Sequence, residues 1–175
     1  RRLSEWDRRL SRWVAWQAHQ DPKAARASRI VAHLGDGLLW LVVGGSLFWS
    51  VPSIRHRMLF VGLGVVIATV IVTMLKYGTR RPRPQKAGAA FWGRLGQHDA
   101  YAFPSGHAAR MASITVAANM AFPAFCLPFA LGTLLVCWGR VATSAHHLSD
   151  VLAGALVGAS AVASAAWLWT QMFPL

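Results

Sequence analysis

Charged residues are absent from four long stretches of the chain, Gly37 to Ile54, Met58 to Leu75, Met111 to Gly139 and Val151 to Leu175. A helix needs roughly 18–20 apolar residues to cross the hydrocarbon core of a bilayer, and each stretch reaches that range. The third is too long for one crossing and contains Pro123 and Pro128. Proline has no N–H to donate and its ring clashes with the preceding turn, so Pro123 divides the stretch into two helices. The pattern predicts transmembrane helices at about 30–52, 57–77, 105–121, 124–145 and 148–172. Residues 1–20 read differently. Leu3, Trp6, Leu10, Trp13 and Gln17 fall on one helical stripe with Val14 and Trp16 beside it, while Arg1, Arg2, Arg8, Arg9 and Arg12 lie mostly elsewhere. This is the pattern of an amphipathic helix lying in a membrane interface; it would also serve a helix packed on a partner subunit. Asp21-Pro22 marks a turn or a new helix start.

The predicted fold class is therefore an all-α integral membrane protein, with about five transmembrane helices and an N-terminal amphipathic interfacial helix. It forms a single membrane-embedded domain over 1–175, of which 1–25 is the amphipathic segment. No internal repeat or strand pattern is present.

Composition supports this. Hydrophobic residues make up 55% of the 175 positions and charged residues 14%, against about 25% charged in a typical soluble domain. The charge is lopsided, with 18 Lys+Arg against 6 Asp+Glu. Such an excess suits either a nucleic-acid protein or a membrane protein with a basic rim. A nucleic-acid binder spreads its cations over a folded surface; here they collect between apolar runs, so no nucleic-acid partner is expected. Trp40, Trp49, Trp138, Trp167 and Trp169 lie towards span ends, where an amphipathic ring suits the headgroup layer; Trp40 and Trp138 fit packing between helices equally well. Cys126 and Cys137 share one predicted helix, about 16 Å apart by helical rise, and are expected to stay free.

Five spans put residues 1–29, the 77–104 segment and the 145–148 turn on one side. That side carries sixteen Lys/Arg, and the other carries only Arg55 and Arg57. The positive-inside rule then places the N-terminus and the long segment in the cytoplasm, and the expected setting is the inner membrane of a bacterial cell. No signal peptide is visible. The chain opens on Arg1 and not on methionine, so preceding residues can exist, and an added span would reverse this topology.

Three polar clusters lie on the basic side. One runs from Lys76 to Arg83 and Pro84, one is Pro104-Ser105-Gly106-His107, and one runs from Arg140 through His146 and His147 to Asp150. Singly, each has an ordinary explanation as a lipid anchor, a helix start or an interfacial hydrogen-bonder. Together they suit a phosphoryl group. Ser105 can cap a helix whose first-turn N–H groups face an anion, and Lys76, Arg83 and Arg140 supply cations at the same depth. If 146–150 is helical, Asp150 lies one turn from His146 and can hold its ring in one tautomer. His107 brings a second imidazole fit for proton transfer. Asp36, in His33-Leu-Gly-Asp36-Gly37 on the same side, should have a partner at this depth; it either pairs with a cation of the cage or caps the helix.

These clusters resemble the signature of the type 2 phosphatidic acid phosphatase superfamily, the lipid phosphate phosphatases. Lys76, Arg83 and Pro84 match its first motif, Pro104 to His107 its second, and Arg140, His146 and Asp150 its third, all within 76–154. Gly139 stands where the family usually has serine, which removes one hydroxyl donor. The resemblance implies a membrane phosphatase acting on a lipid phosphate or diphosphate, with no metal or other cofactor. It implies that His146 attacks phosphorus to form a phosphohistidine, Asp150 orients it, and His107 protonates the leaving oxygen and then activates water. Lys76, Arg83, Ser105, Gly106 and Arg140 would hold the phosphoryl oxygens. His147 is the rival nucleophile, but only His146 keeps the motif spacing. Residues 101–110 are similar to the polyisoprenoid and presqualene diphosphate phosphatase branch, which favours an isoprenoid substrate; phosphatidic acid and phosphatidylglycerophosphate are the alternatives. Family members commonly have six spans and an outward-facing site. With the first span replaced by the segment 1–20, the site here is expected at the cytoplasmic face.

Two other classes compete. His107, His146, His147 and Asp150 could bind zinc, although the neighbouring cations oppose it. A non-catalytic lipid binder or transporter could use the same scaffold, but it would need no nucleophile. The soluble vanadium haloperoxidases share the phosphate motif, and the uncharged spans exclude that form. Residues 85–103, with Phe91, Trp92, Arg94 and His98, are a candidate lid or headgroup selector. The expected partners are a lipid phosphate substrate and membrane lipids; the pattern fixes no oligomeric state.

Overall fold

The structure, a computed structural model, describes residues 2–84 and 101–172. The lid expectation at Phe91, Trp92, Arg94 and His98 falls on residues outside the described ones. Seven helices are described: α1 (Arg2–Gln20), α2 (Pro22–His33), α3 (Gly37–Ser50), α4 (Arg55–Thr79), α5 (Gly106–Ala121), α6 (Cys126–Ala142) and α7 (Leu148–Met172), with 3₁₀ turns at Pro52–Ile54 and Pro123–Phe125. No strand is formed among the described residues.

Three of these elements are long and apolar enough to cross a membrane, Pro52–Thr79, Pro123–Ala142 and Leu148–Met172. Their bounds lie within a few residues of the predicted spans. The predicted span at 30–52 is not one straight helix. α2 and α3 pass the same test only as a pair, bent by 56°. The break falls at 34–36, where Gly35 lies so close to α5 that an added Cβ would sit 2.9 Å from the His107 Cβ. α5 has the predicted bounds but only 16 residues, short of the length that spans a bilayer unaided.

The centre of the bundle is α4, α5 and α7. The buried stripe of α4 is Phe60, Gly64, Ala68, Val72 and Lys76, a strict four-residue spacing on one face. That of α7 starts at Asp150 and runs through Gly154, Gly158 and Ala161. α5 meets both with Ala108, Ala109, Ala112, Ser113 and Ala117. Helices surrounded by lipid gain little from burying apolar area, so they associate through close packing of small residues. α7 shows how close: a Cβ on Gly158 would overlap the Ala109 carbonyl, and one on Gly154 the Ser105 carbonyl. The packed stripes thus deliver Lys76 and Asp150 to the same end of the bundle.

α6 packs on α5 and α2. Trp40 packs between helices, its indole N–H donating to the Leu34 carbonyl at 2.6 Å and its ring 5.9 Å from Phe129. Trp49 and Trp167 are exposed, as interface residues would be. Cys126 and Cys137 are free.

α1 adds what hydropathy did not reveal. Trp6, Leu10, Trp13 and Trp16 form its exposed face, at 68%, 44%, 55% and 57% exposure. Its other face, with Ser11, Ala15 and Ala18 buried, lies on α6 and α7 of this same chain. Asp21 starts the next helix by accepting from the Lys23 amide at 2.9 Å, with Pro22 in the first turn.

Candidate active site

Lys76 lies at the C-terminal end of α4, nearly buried at 7% exposure. Its ammonium is 4.0 Å from where a Cβ would sit on Gly106, the first residue of α5. A cation therefore stands over a helix N-terminus whose first amides have no helical acceptor, a ready anion site. Ser105 occupies the N-cap position with extended backbone, yet its side chain makes no capping bond. The expectation that Ser105 caps the helix is thus met in position only. Its hydroxyl is fully buried and has no hydrogen-bond partner among the described residues, so it is available to a phosphoryl oxygen. The Ser105 amide donates to the Asp150 carbonyl at 2.8 Å, tying this turn to α7.

The Arg140–Asp150 segment is not a continuous helix. α6 ends at Ala142 and α7 begins at Leu148, with Ser144 at φ 55° between them. The amides of Ala145 and His146 both donate back to the Arg140 carbonyl at 3.1 Å. His146 is 1% exposed and Asp150 fully buried, with His146 Nδ1 3.7 Å from Asp150 Oδ2. The two meet, but through a turn and not through one helical face. Burial pushes the His146 imidazole down to a pKa of about 4, helped by the Arg140 and Arg83 charges and opposed by Asp150. His147 is also lowered, first by burial and then by Arg81.

Asp150 is held at both oxygens. Oδ2 accepts from the His147 amide at 2.8 Å, as the third residue of a helix does in a capping box. Oδ1 accepts from Arg81 Nη1 at 2.8 Å. Arg81 was not singled out from sequence. It continues to Asp7 of α1, Nη2 to Oδ2 at 2.8 Å, and to the Ser149 hydroxyl at 2.7 Å. Asp7 also accepts from the Ser149 amide at 2.9 Å, and the Ser11 hydroxyl accepts from the Leu148 amide at 2.9 Å. Two orphan N–H groups of α7 are therefore capped by α1. Burial pushes the Asp7 carboxyl up, but the bonds from Ser149 and Arg81 outweigh it and hold the group below its usual range. A lone Asp in an arginine-rich amphipathic helix was the signal that could have drawn attention to it.

Asp36 was expected to pair with a cation of the cage or to cap. It does neither. It sits at the N-cap position of α3 without a capping bond. Instead Oδ1 lies 2.7 Å from His107 Nε2 and Oδ2 2.9 Å from His33 Nδ1. An acceptor-only carboxylate here fixes the His107 proton on Nε2 in the neutral ring and leaves Nδ1 to exchange a proton elsewhere. Arg110 secures the same break in the chain, donating to the Gly35 carbonyl at 2.6 Å.

Gly139 has a packing reason. A Cβ there would stand 2.8 Å from the Ser28 carbonyl oxygen and 2.9 Å from the Ala32 amide, because α2 presses directly on α6. We expect Gly139→Ser to destabilise the protein by about 1–3 kcal/mol without raising turnover. Thermal unfolding in detergent beside kcat checks this; an unchanged Tm with higher kcat would refute it.

Among the described residues no three His, Cys, Asp or Glu side chains gather as a metal-ligand set. A family model described as the PAP2 superfamily matches residues 57–174. The chain is 30% identical over 143 residues to the decaprenylphosphoryl-5-phosphoribose phosphatase of Mycobacterium tuberculosis, covering 79% of this chain and 77% of that protein. Its fold is similar to that of LpxE from Aquifex aeolicus, with a TM-score of 0.73 at 21% identity over 91% of this chain and 93% of that one. It is also similar to the transmembrane PAP2-type phosphatidylglycerolphosphate phosphatase of Bacillus subtilis, with a TM-score of 0.77 at 18% identity over 100% and 90%.

Proposed function

The chain belongs to the PAP2 superfamily and is a membrane lipid phosphatase, and on that premise we propose that it cleaves an isoprenoid lipid phosphate or diphosphate through a phosphohistidine on His146, without a metal. The observation that carries this reading is the convergence of Lys76, the Ser105 hydroxyl, unpartnered among the described residues, and the buried His146–Asp150 pair at one end of the bundle. Lys76, Arg83, Ser105, the Gly106 turn and Arg140 hold the phosphoryl oxygens and match the charge that develops on them. The lone pair of His146 Nε2 forms the P–N bond as the bond to the lipid oxygen breaks, while Nδ1–H turns to Asp150. His107 enters the step as the imidazolium, its Nε2–H held by Asp36; it gives that oxygen its Nδ1 proton and is left as the neutral ring. It then takes a proton from the water that breaks the P–N bond and releases inorganic phosphate. The isoprenoid preference draws on the substrate for which the mycobacterial relative is named.

We place the protein in a bacterial inner membrane as a single domain. The bundle crosses five times, with α5 shielded by its neighbours, α1 at the interface and the site at the cytoplasmic face beside the sixteen Lys/Arg. Labelling of a cysteine at the site by an impermeant reagent in intact cells would overturn the orientation.

The test is phosphate release by detergent-purified protein, with EDTA present, from a polyprenyl phosphate, farnesyl diphosphate, phosphatidic acid and phosphatidylglycerophosphate. EDTA-resistant release that is best on the isoprenoid lipids is expected. Release abolished by EDTA would revive the zinc reading, and preference for a glycerolipid would transfer the assignment to it.

Asp36→Asn should lower kcat about 30-fold on an alkyl phosphate but only a few-fold on p-nitrophenyl phosphate, whose leaving group needs little protonation. Equal losses on both would remove Asp36 from the proton-transfer step.

A further inference from the structure

We infer that Asp7 of the N-terminal amphipathic helix is a positioning residue for catalysis, acting on Asp150 through the Arg81 guanidinium. The inference rests on the reading of His146 as nucleophile and Asp150 as its orienting carboxylate. Three observations carry it. First, Arg81 is the link: Nη2 to Asp7 Oδ2 and Nη1 to Asp150 Oδ1 are both 2.8 Å. Second, the network is shielded. Asp150 is fully buried, and the side chains of Asp7 and Arg81 are only 11% and 28% exposed. Third, Asp7 holds the start of α7 itself, accepting from both the amide and the hydroxyl of Ser149, the neighbour of Asp150.

The electrostatics give the arrangement a purpose beyond docking. As His146 bonds to phosphorus its ring becomes cationic, and Asp150 is the anion that compensates. Arg81 works against this, because a guanidinium bound to Asp150 offsets the very charge the ring needs. Asp7 supplies a second anion to Arg81, so the three groups together keep a net negative charge facing His146. The planar fork of arginine is required, since it must serve two carboxylates in fixed directions; lysine offers a point charge. The amphipathic helix that reads as a membrane anchor thus contributes to the reaction from its inner face.

The test is steady-state turnover of a polyprenyl phosphate in detergent micelles by the full chain. Variants are Asp7→Asn, Arg81→Gln, their double, Arg81→Lys, Ser11→Ala and His146→Ala, each confirmed folded by size exclusion and thermal unfolding. Asp7→Asn removes the charge and one of two acceptors, so with its oxygen left on the Ser149 amide it no longer accepts from Arg81. It should lower kcat about tenfold with KM within about twofold. In the Arg81→Gln background the same change should cost less than about twofold, because its route is gone. Arg81→Lys should not restore kcat, and Ser11→Ala, which removes only the bond to the Leu148 amide, should turn over near the parent rate. Asp7→Asn at the parent kcat, an equal cost in both backgrounds, or a matching loss in Ser11→Ala would each overturn the inference. His146→Ala separates the two levels. If it remains active, the nucleophile assignment fails; if it is dead while Asp7→Asn is unaffected, only the inference fails.

Discussion

On the proposed mechanism, His146→Ala is expected to lower phosphate release by about 10⁴-fold or more, since it removes the atom assigned to the covalent intermediate. The ring is 1% exposed, and its Nδ1 has no hydrogen-bond partner among the described residues. A buried imidazole without a settled partner is costly unless a ligand completes it. His147→Ala should cost far less, because the Asp150 oxygen nearest the His146 ring engages His147 only through its backbone amide. Acid quenching during turnover would lose phosphohistidine, so a labelled intermediate should be sought under alkaline conditions in the parent and be missing from the variant. The pH profile is a second reading of the same residue. With a folded pKa of about 4 against 6.5, the free ring stays neutral and nucleophilic through the whole neutral range. The acid limb that His146 contributes to kcat/KM should fall near pH 4, below the second ionisation of the substrate phosphate at about 6, and its absence there would contradict the buried, cation-flanked setting. Stability follows with the same sign. Between pH 6.5 and 4 the unfolded ring binds a proton that the folded ring does not, so stability is complete above 6.5 and declines as pH falls towards 4.

The helices and the site were legible to different degrees. Spans announce themselves by missing charge, so α4, α6 and α7 were bounded within a few residues. The break at 34–36 was hidden, because apolar length does not register a bend forced by Gly35 lying against His107. Lys76, Ser105, His107, Arg140, His146 and Asp150 stand out in the sequence through the family motifs they match and the order and spacing of those motifs. Their supports do not. Asp7, Ser11, Ala15 and Ala18 add nothing to a hydropathy stripe, so α1 read by its tryptophan face while its inner face capped α7. An acid at membrane depth needs a partner, so Asp36 stands out, but the sequence offers a cage cation or a helix cap and not the His107 ring it meets. Local pattern locates an element; which of its faces meets which neighbour is decided by contacts 70 or more residues apart in the chain.

Asp150→Asn carries the second large effect, and the two donors on Asp150 decide its form. Arg81 and the His147 amide each require an acceptor, at 2.8 Å on opposite carboxylate oxygens. An asparagine has one acceptor and one donor, so it cannot satisfy both. The charged Arg81 takes the carbonyl oxygen, and the NH₂ group then faces the His147 amide and His146 Nδ1. That reverses the polarity around His146. Nδ1 becomes the acceptor and the proton moves to Nε2, the nitrogen that attacks phosphorus in the proposed mechanism. The change should lower kcat by about 10²–10³-fold. The opposed donors should also cost about 1–3 kcal/mol of stability. Asp150→Ala makes a sharper comparison. It removes the anion but imposes no tautomer, so its kcat should equal or exceed that of Asp150→Asn. Turnover and thermal unfolding of both variants in detergent decide the matter. An asparagine variant clearly more active than the alanine one would mean that Asp150 acts through packing alone, with the orientation of His146 set elsewhere.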